Sequence, residues 1–445
     1  MSKEILNPIS GFPEMLPGEQ ITFNKIVEVI RKGFESAGAV PIETPAVERV
    51  DTLLAKGGID KEVYGLKRLK EDGNSDDKNL ALHFDLTVPL ARYVAQHKNE
   101  LTFPFRRYQI QPVWRGERAQ AGRYRQFYQC DIDVIGNGDL SILHDAEMPF
   151  VIYNIFRRLD IGKFIIRINN RKIITGFLEY VGVSHDNIQE ALNAVDDLEK
   201  KGIADTSNRL MGLGVAETDV SKTLEFFEKK GTNEEVIEYL RTVASSESFV
   251  AGVNELAIVV KAIDSLGVPT DYYCIDLSVA RGLDYYTGTI YETRLVGQAG
   301  IGSICSGGRY DDLAGHFAGG AKYPGVGISI GLTRLFPRLI QIGVIQPDSP
   351  RTADIMIASL DSSRSLDYLK VGSNLRNAGI NTEVYLDDRK LGAQMKYANK
   401  KGVKYVVIIG EEEFSNGTFI LRDMSNGEQE TYQLLDIVEE LRKRT

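Results

Sequence analysis

The sequence predicts an α+β protein in which a sheet-based domain is interrupted by a helical module and followed by a separate small α/β domain. Three observations carry this. Strand-like text runs from Leu101 to Gly136 and resumes, rich in glycine, in DYYCIDLSVARGLDYYTGTIYE. Between the two, from about Arg171 to Ser265, lie stretches dense in Glu, Lys, Asp and Leu, such as EALNAVDDLEKKG and VSKTLEFFEKKG, that read as helices. Beyond the polar, proline-bearing linker at Gln346-Pro347-Asp348-Ser349-Pro350, strands and helices alternate, which calls for a sheet covered by helices. The boundaries follow: sheet-based text over 1–170 and 265–346, a helical insertion over 171–264, and an α/β domain of roughly ninety residues over 352–445.

The elements are justified in chain order. Phe23, Ile26, Val27, Ile30 and Phe34 fall at helical spacing, and Ser36-Ala37-Gly38-Ala39 ends that helix. The prolines of Val40-Pro41-Ile42-Glu43-Thr44-Pro45 forbid a central strand and favour an edge or an interface. LHFDLTVPLARY reads as extended, with Asp85 and Thr87 on one side, opposite Leu86 and Val88. YRQFYQCDIDVIG is a strand, and GVGISIGLTRL begins as one and turns into a helix carrying Arg334 in its first turn. In the last domain the pattern gives a strand Ile355 to Leu360, a helix Ser365 to Ala378, a strand Thr382 to Leu386, a helix Gly392 to Lys400 and a strand Tyr405 to Ile409. Asn416-Gly417 and Asn426-Gly427, strong hairpin signals, bracket a further strand from Thr418 to Met424 before a final helix through Leu441.

Composition excludes several classes. A chain of 445 residues with 43% hydrophobic and 26% charged residues is ordinary globular protein, and no apolar run approaches the ~20 residues needed to cross a bilayer. The opening MSKEILNPISGFPEMLP has neither the apolar core of a secretory signal nor the arginine-rich face of a transit peptide, so a cytoplasmic protein is expected. Cys130, Cys274 and Cys305 include no CxxC pair, and the five histidines no HExxH or HxH, which argues against disulfides and a zinc site. Any metal would be Mg²⁺ held largely by substrate phosphates. A net charge of −9 argues against indiscriminate nucleic-acid binding and leaves room for a local basic track.

Against that acidic balance stands RGERAQAGRYRQF, with Arg115, Arg118, Arg123 and Arg125 close together. Alone, such a run is a solvated face. The strand that leaves it places Arg125, Phe127, Gln129, Asp131 and Asp133 on one side and Tyr128, Cys130, Ile132 and Val134 on the other. The apolar set must meet a core, so the polar set lines either a cavity or a wet sheet face. ARGLDYYTG adds Arg281, Asp284, Tyr285 and Tyr286. SGGRYDDL adds Arg309 and Tyr310 behind a Gly-Gly pair that would let a ligand approach the backbone. Several arginines with paired carboxylates suggest an anionic ligand beside a cationic or hydrogen-bonding one, because guanidinium forks bind phosphate oxygens bidentately.

These segments resemble the histidyl-tRNA synthetases, a family of class II aminoacyl-tRNA synthetases. The likeness includes the first class II motif ending at Pro45, the second from Phe105 to Gly136 and the third ending at Arg334. ARGLDYYTG and SGGRYDDL are particular to the histidine enzymes, and KLGAQMKYANKKGVKYVVIIGEEE is similar to their anticodon-binding domain. The resemblance implies an antiparallel catalytic sheet flanked by helices and split by a helical insertion, an anticodon-binding α/β domain, and a homodimer. It implies histidine, ATP with Mg²⁺, and tRNA(His) as partners, with no membrane or DNA. Arg115 and Arg281 would grip the α-phosphate as the catalytic pair, Arg123 and Arg334 the outer phosphates, with Glu117 near the nucleotide. Asp85, Thr87 and Gln129 would take the α-amino group, Asp133 and Tyr286 the imidazole nitrogens, with Tyr285 beside them and Tyr310 closing the pocket. Arg118, Gln120, Arg389, Lys396 and Lys400 would touch tRNA. The strongest rival is a catalytically inactive histidine-binding paralogue such as the regulatory subunit of ATP phosphoribosyltransferase, and from a different class comes a non-catalytic tRNA sensor domain, for which the chain shows no appended kinase or other effector module.

Overall fold

The computed structural model describes residues 6–54, 62–67, 79–119, 122–243, 246–280, 285–311, 315, 317 and 319–444. The chain divides into two units, Met1–Glu14 with Ile26–Ile345 and Met15–Lys25 with Gln346–Thr445.

In the first unit the strands are β1 (Val40–Pro41), β2 (Val47–Arg49), β3 (Leu80–Leu82), β4 (Phe105–Trp114), β5 (Gln126–Ile135), β6 (Phe164–Asn170), β7 (Tyr273–Ile275), β8 (Thr289–Leu295), β9 (Ser303–Tyr310) and β10 (Gly325–Gly331). Eight of them form one sheet in the order β1-β4-β5-β10-β9-β8-β6-β7, while β2 and β3 pair separately. Within the large sheet β1–β4 and β6–β7 are parallel and the other neighbours antiparallel. The proline-bearing β1 sits at an edge, where its missing N–H costs no ladder bond.

One face of this sheet is a dry core. Cys130, Ile132 and Val134 of β5 alternate inward with Val326, Ile328 and Ile330 of β10, all buried. The helix Leu143–Leu159 packs on β9 and β10. Gly33 of the helix Pro17–Ser36 lets that helix approach closely, since a Cβ there would stand 2.3 Å from Ile155 Cγ1. Between β6 and β7 the chain is helical, in Arg171–Tyr180, Ile188–Asp196, Leu198–Gly212, Glu217–Glu228, Asn233–Val243 and Glu247–Ser265. Its core includes an aromatic cluster: Phe177 and Phe226 stack with ring centroids 3.7 Å apart, and Phe227 meets both edge-on.

The second unit carries β11 (Ile355–Ser359), β12 (Thr382–Val384), β13 (Tyr405–Ile409), β14 (Thr418–Asp423) and β15 (Gln429–Gln433), in the order β12-β11-β13-β14-β15. The first three are parallel and the last two antiparallel. Ile355, Ile357, Val407 and Ile409 meet Tyr368 and Leu375 of the helix Ser365–Asn377 on one face. Met356, Ala358, Val406 and Ile408 meet Ala398 of the helix Leu391–Lys401 on the other. Asn426-Gly427 does join the β14–β15 hairpin. Asn416-Gly417 does something else: it ends a short helix, Glu411–Asn416, with Gly417 left-handed at φ 66° as its C-cap. The same dipeptide serves both uses because both need a residue at positive φ.

Candidate active site

The site grows from the register of four neighbouring strands. On the face opposite the dry core, β4 presents Arg107, Gln109 and Gln111, directly across from Asp133, Asp131 and Gln129 of β5. On the other side of β5, these same residues face Gly327, Ser329 and Gly331 of β10. Next to β10, β9 brings Gly308 and Ser306. Large polar side chains on β4 and β5 therefore stand beside a floor of glycine and serine, and the missing volume is a cavity of about 380 Å³. The wet-face alternative does not hold, because Gln129, Asp131 and Asp133 are buried.

Arg115, Glu117, Arg123 and Arg334 line one part of the cavity, with Asp85, Thr87, Gln129, Tyr285 and Tyr286 also on its wall. A recess of about 20 Å³ shares Thr87, Tyr286 and Ser329 with it and is closed by Asp131, Asp133 and Tyr310. Arg115 is held in place: its Nε donates to the Phe84 carbonyl at 3.0 Å, and its guanidinium lies 5.1 Å from the centroid of the Phe127 ring. Arg334 Nε donates to the Gly122 carbonyl at 2.7 Å, and Arg123 lies 3.4 Å from the Glu117 carboxylate.

At the acidic end, burial dominates. Asp85 does not lie in an extended segment, because Thr87 opens the helix Thr87–Gln96. Asp85 Oδ1 accepts the Val88 N–H at 3.1 Å, and Pro89 fits the first turn, where no N–H is needed. Its other oxygen and Gln129 Oε1 are buried with no hydrogen-bond partner among the described residues. Burial pushes Asp85 up to about 6 and Asp131 up to about 7, and raises Asp133 despite Arg107. Arg107 is fully buried and meets Asp133 Oδ2 at 2.7 Å, while the Tyr310 hydroxyl donates to Asp133 Oδ1 at 3.1 Å. Tyr310 thus stands behind Asp133, in edge contact with Tyr285 at 6.1 Å between centroids. Two glycines make room for this group. A Cβ at Gly325 would come within 2.4 Å of the Tyr310 ring, and one at Gly327 within 2.1 Å of Asp133 Oδ1.

Arg281, with Gln120, lies outside the described residues. Arg309 differs from the expectation of an anion-binding group. It is one residue from Tyr310 on a strand and so faces the opposite side, where it meets Asp145 at 2.7 Å and donates to the Leu140 and Ser141 carbonyls. Arg118 is exposed and not part of the cavity wall, and Arg389, Lys396 and Lys400 are exposed on the second unit. Sequence reasoning missed Arg107, Asp131 as a pocket residue, Ser329 and Glu292. Arg107-x-Gln109-x-Gln111 is itself a period-two polar run, a signal equal to the one read in β5. Glu292 reaches the cavity wall from β8, with its Oε2 2.6 Å from Arg167 and 2.9 Å from Arg294; neighbouring Asp276, also paired with Arg167, sits at about 2 because this pairing and Lys230 outweigh burial.

Comparison with known proteins agrees with this architecture. Residues 11–335 match the family model described as histidyl-tRNA synthetase, and residues 354–444 that of an anticodon binding domain. A histidine–tRNA ligase of Nostoc sp. PCC 7120 is 45% identical over 449 residues, spanning 98% of this chain and 97% of the relative. One of Clostridium tetani is 46% identical over 444 residues, spanning 98% and 99%. The crystal structure of histidyl-tRNA synthetase from Nostoc sp. PCC 7120 superposes with a TM-score of 0.87 at 43% identity, covering 99% of each chain.

Proposed function

The chain belongs to the histidyl-tRNA synthetase family, and from this membership and the site we infer that it ligates histidine to tRNA(His) in two steps. In the first, an oxygen of the histidine carboxylate bonds to the α-phosphorus of ATP while the bond from that phosphorus to the bridging oxygen breaks, releasing pyrophosphate and leaving histidyl-adenylate. In the second, the 3′-hydroxyl of the terminal ribose attacks the acyl carbon, loses its proton and releases AMP. The observation that supports this best is one cavity with fixed arginines at one part of its wall and unpartnered buried acceptors at another.

No covalent enzyme intermediate is needed; two anions must be brought in line while charge grows at phosphorus, and preorganised cations supply this. Arg115, immobilised by the Phe84 carbonyl and the Phe127 ring, is the described half of that arrangement. Arg281 is assigned the other side of the α-phosphate from the resemblance alone. Arg334 and Arg123 take the outer phosphates, with Glu117 beside them. Mg²⁺ would arrive with ATP, held largely by phosphate oxygens; Glu117 and Glu292, the glutamates on the cavity wall among the described residues, are each paired with arginine. Asp85 Oδ2 and Gln129 Oε1, with Thr87, fit an α-ammonium group. Asp133 and Tyr286, backed by Tyr285 and Tyr310, take the imidazole. Selection through ring N–H groups is strong because an analogue without them leaves buried polar groups unpaired, a penalty of roughly 10⁴–10⁵ in rate.

Arg118 and Gln120 are proposed to meet the acceptor end of the tRNA, and Arg389, Lys396 and Lys400 its anticodon arm. Family membership further supports a cytoplasmic homodimer. Relatives that match over the full length, including the anticodon-binding segment, favour the ligase over the regulatory paralogue. The test is ATP–pyrophosphate exchange with each amino acid in turn. Exchange dependent on histidine is the expected result; histidine binding without exchange would instead support the paralogue.

A further inference from the structure

We propose that Asp131 is a further histidine-binding residue, whose free carboxylate oxygen accepts a ring N–H so that the pocket holds the imidazole in its doubly protonated form. The inference rests on the proposed function and deepens it. Asp131 sits at the centre of the polar face, paired across the sheet with Gln109 on one side and Ser329 on the other. It is 2% exposed, it lines the recess, and its Oδ1 has no hydrogen-bond partner among the described residues. A buried carboxylate oxygen without a partner is costly in the absence of a ligand that fills the site.

The neighbouring groups say which ligand. Facing Asp131 are Arg107 from β4, Asp133 on its own strand, Ser329 from β10 and Asp85, with the buried thiols of Cys130 and Cys305 and the phenol of Tyr286 close by. Burial raises the pKa values of the thiols and the phenol, so these groups stay neutral. Among the described residues that leaves three carboxylates, Asp85, Asp131 and Asp133, with Arg107 as the one guanidinium acting on Asp131; Arg115 acts on Asp85 alone, from the arginine-lined part of the wall. Arg107 is already committed to Asp133, whose second oxygen accepts from Tyr310. An α-ammonium group balances one surplus carboxylate, at Asp85. A neutral imidazole offers a single N–H and no charge, which leaves Asp131 uncompensated; an imidazolium offers two N–H donors and the missing positive charge. At about 20 Å³ the recess admits only the leading edge of the ring, the Cε1–Nε2 side opposite its attachment, which brings Nε2–H to the Asp131 and Asp133 end.

The test is proton uptake during histidine binding, measured by titration calorimetry at about pH 8 in two buffers of different ionisation enthalpy. Free histidine has a neutral ring there, since the imidazole pKa is about 6.5, and Asp131 is mostly ionised, so formation of the cation must draw a proton from solvent. The expected result is uptake approaching one proton per histidine for the wild type. Asp131→Asn should take up almost none and bind histidine at least ~10-fold more weakly, the scale of one lost charged hydrogen bond, with ATP affinity unchanged. Wild-type binding without proton uptake overturns the proposal, and so does wild-type histidine affinity in Asp131→Asn. The wild-type measurement decides even if the variant fails to fold. Histidine-dependent exchange without uptake removes this inference alone, whereas absence of exchange removes the functional reading.

Discussion

Replacing Gly327 by alanine probes the site through its floor. The added methyl would stand 2.1 Å from Asp133 Oδ1, 2.5 Å from its Cγ and 2.7 Å from the Ile132 carbonyl oxygen, where ordinary contact begins at 3.4 Å. The backbone carbonyl is fixed in the sheet, so the carboxylate must yield by more than ~1 Å, a displacement that overpacked cores resist at a cost of about 1–3 kcal/mol. It cannot yield freely, because Arg107 holds Oδ2 at 2.7 Å and Tyr310 holds Oδ1 at 3.1 Å. Misplacing a recognition group by ~1 Å costs up to about 10²-fold in rate. Gly327→Ala should therefore lower kcat/KM for histidine by roughly 10–100-fold in ATP–pyrophosphate exchange. KM for ATP should stay near wild type, since Arg115, Arg123 and Arg334 are untouched. Denaturant unfolding should show the 1–3 kcal/mol loss noted above. A variant with wild-type KM for histidine and wild-type stability would refute the claim that this glycine exists to admit the carboxylate.

Arg309→Ala should unfold more easily by about 3–5 kcal/mol in denaturant, because it strands buried Asp145; the folded fraction should keep its KM for ATP, which a phosphate-binding Arg309 would not allow. Asp85 and Asp131 have native pKa values near 6 and 7, above the ordinary 3.8. The native state thus binds more protons than the unfolded chain between these values, and stability of the ligand-free protein should fall as pH rises from about 4 to about 7. Melting curves across that window should flatten in the Asp85→Asn, Asp131→Asn double variant; an unchanged slope would show that neither group is responsible. Arg115→Ala should depress exchange by at least ~10²-fold, the scale of a lost transition-state electrostatic contact, and a smaller effect would displace it from the α-phosphate. Lys396→Ala with Lys400→Ala should raise KM for tRNA and weaken the salt dependence of charging while exchange stays unchanged; a parallel loss of exchange would point to misfolding.

Much of the site was legible because β-strands write their faces in alternate letters. Gln129 and Asp133 could be placed on one side of β5 from spelling alone, and Cys130, Ile132 and Val134 on the other. The same rule, applied to Arg107-x-Gln109-x-Gln111, would have found the guanidinium that neutralises Asp133. It separates Arg309 from Tyr310 as well, since adjacent residues on a strand cannot serve one pocket. The helix at Thr87 escaped because its start depends on an aspartate side chain capping Val88, a local bond that competes with extended backbone. The two Asn-Gly dipeptides were ambiguous for a related reason: positive φ is demanded by helix ends and hairpins alike.

Sequence alone set which residues share a strand face, the helical and α/β modules, and the kind of chemistry the arginines and carboxylates can do, because periodicity and side-chain type are local properties. Which carboxylate is ion-paired with Arg107 and which keeps an oxygen without a partner among the described residues was decided by the tertiary structure alone. Asp131 and Asp133 are two letters apart and equivalent in spelling; they differ because the sheet sets Arg107 and Gly327 beside one, and Gln109 and Ser329 beside the other. Strand register, a long-range property, assigns the counter-charge, and with it the protonation state that each acid can hold.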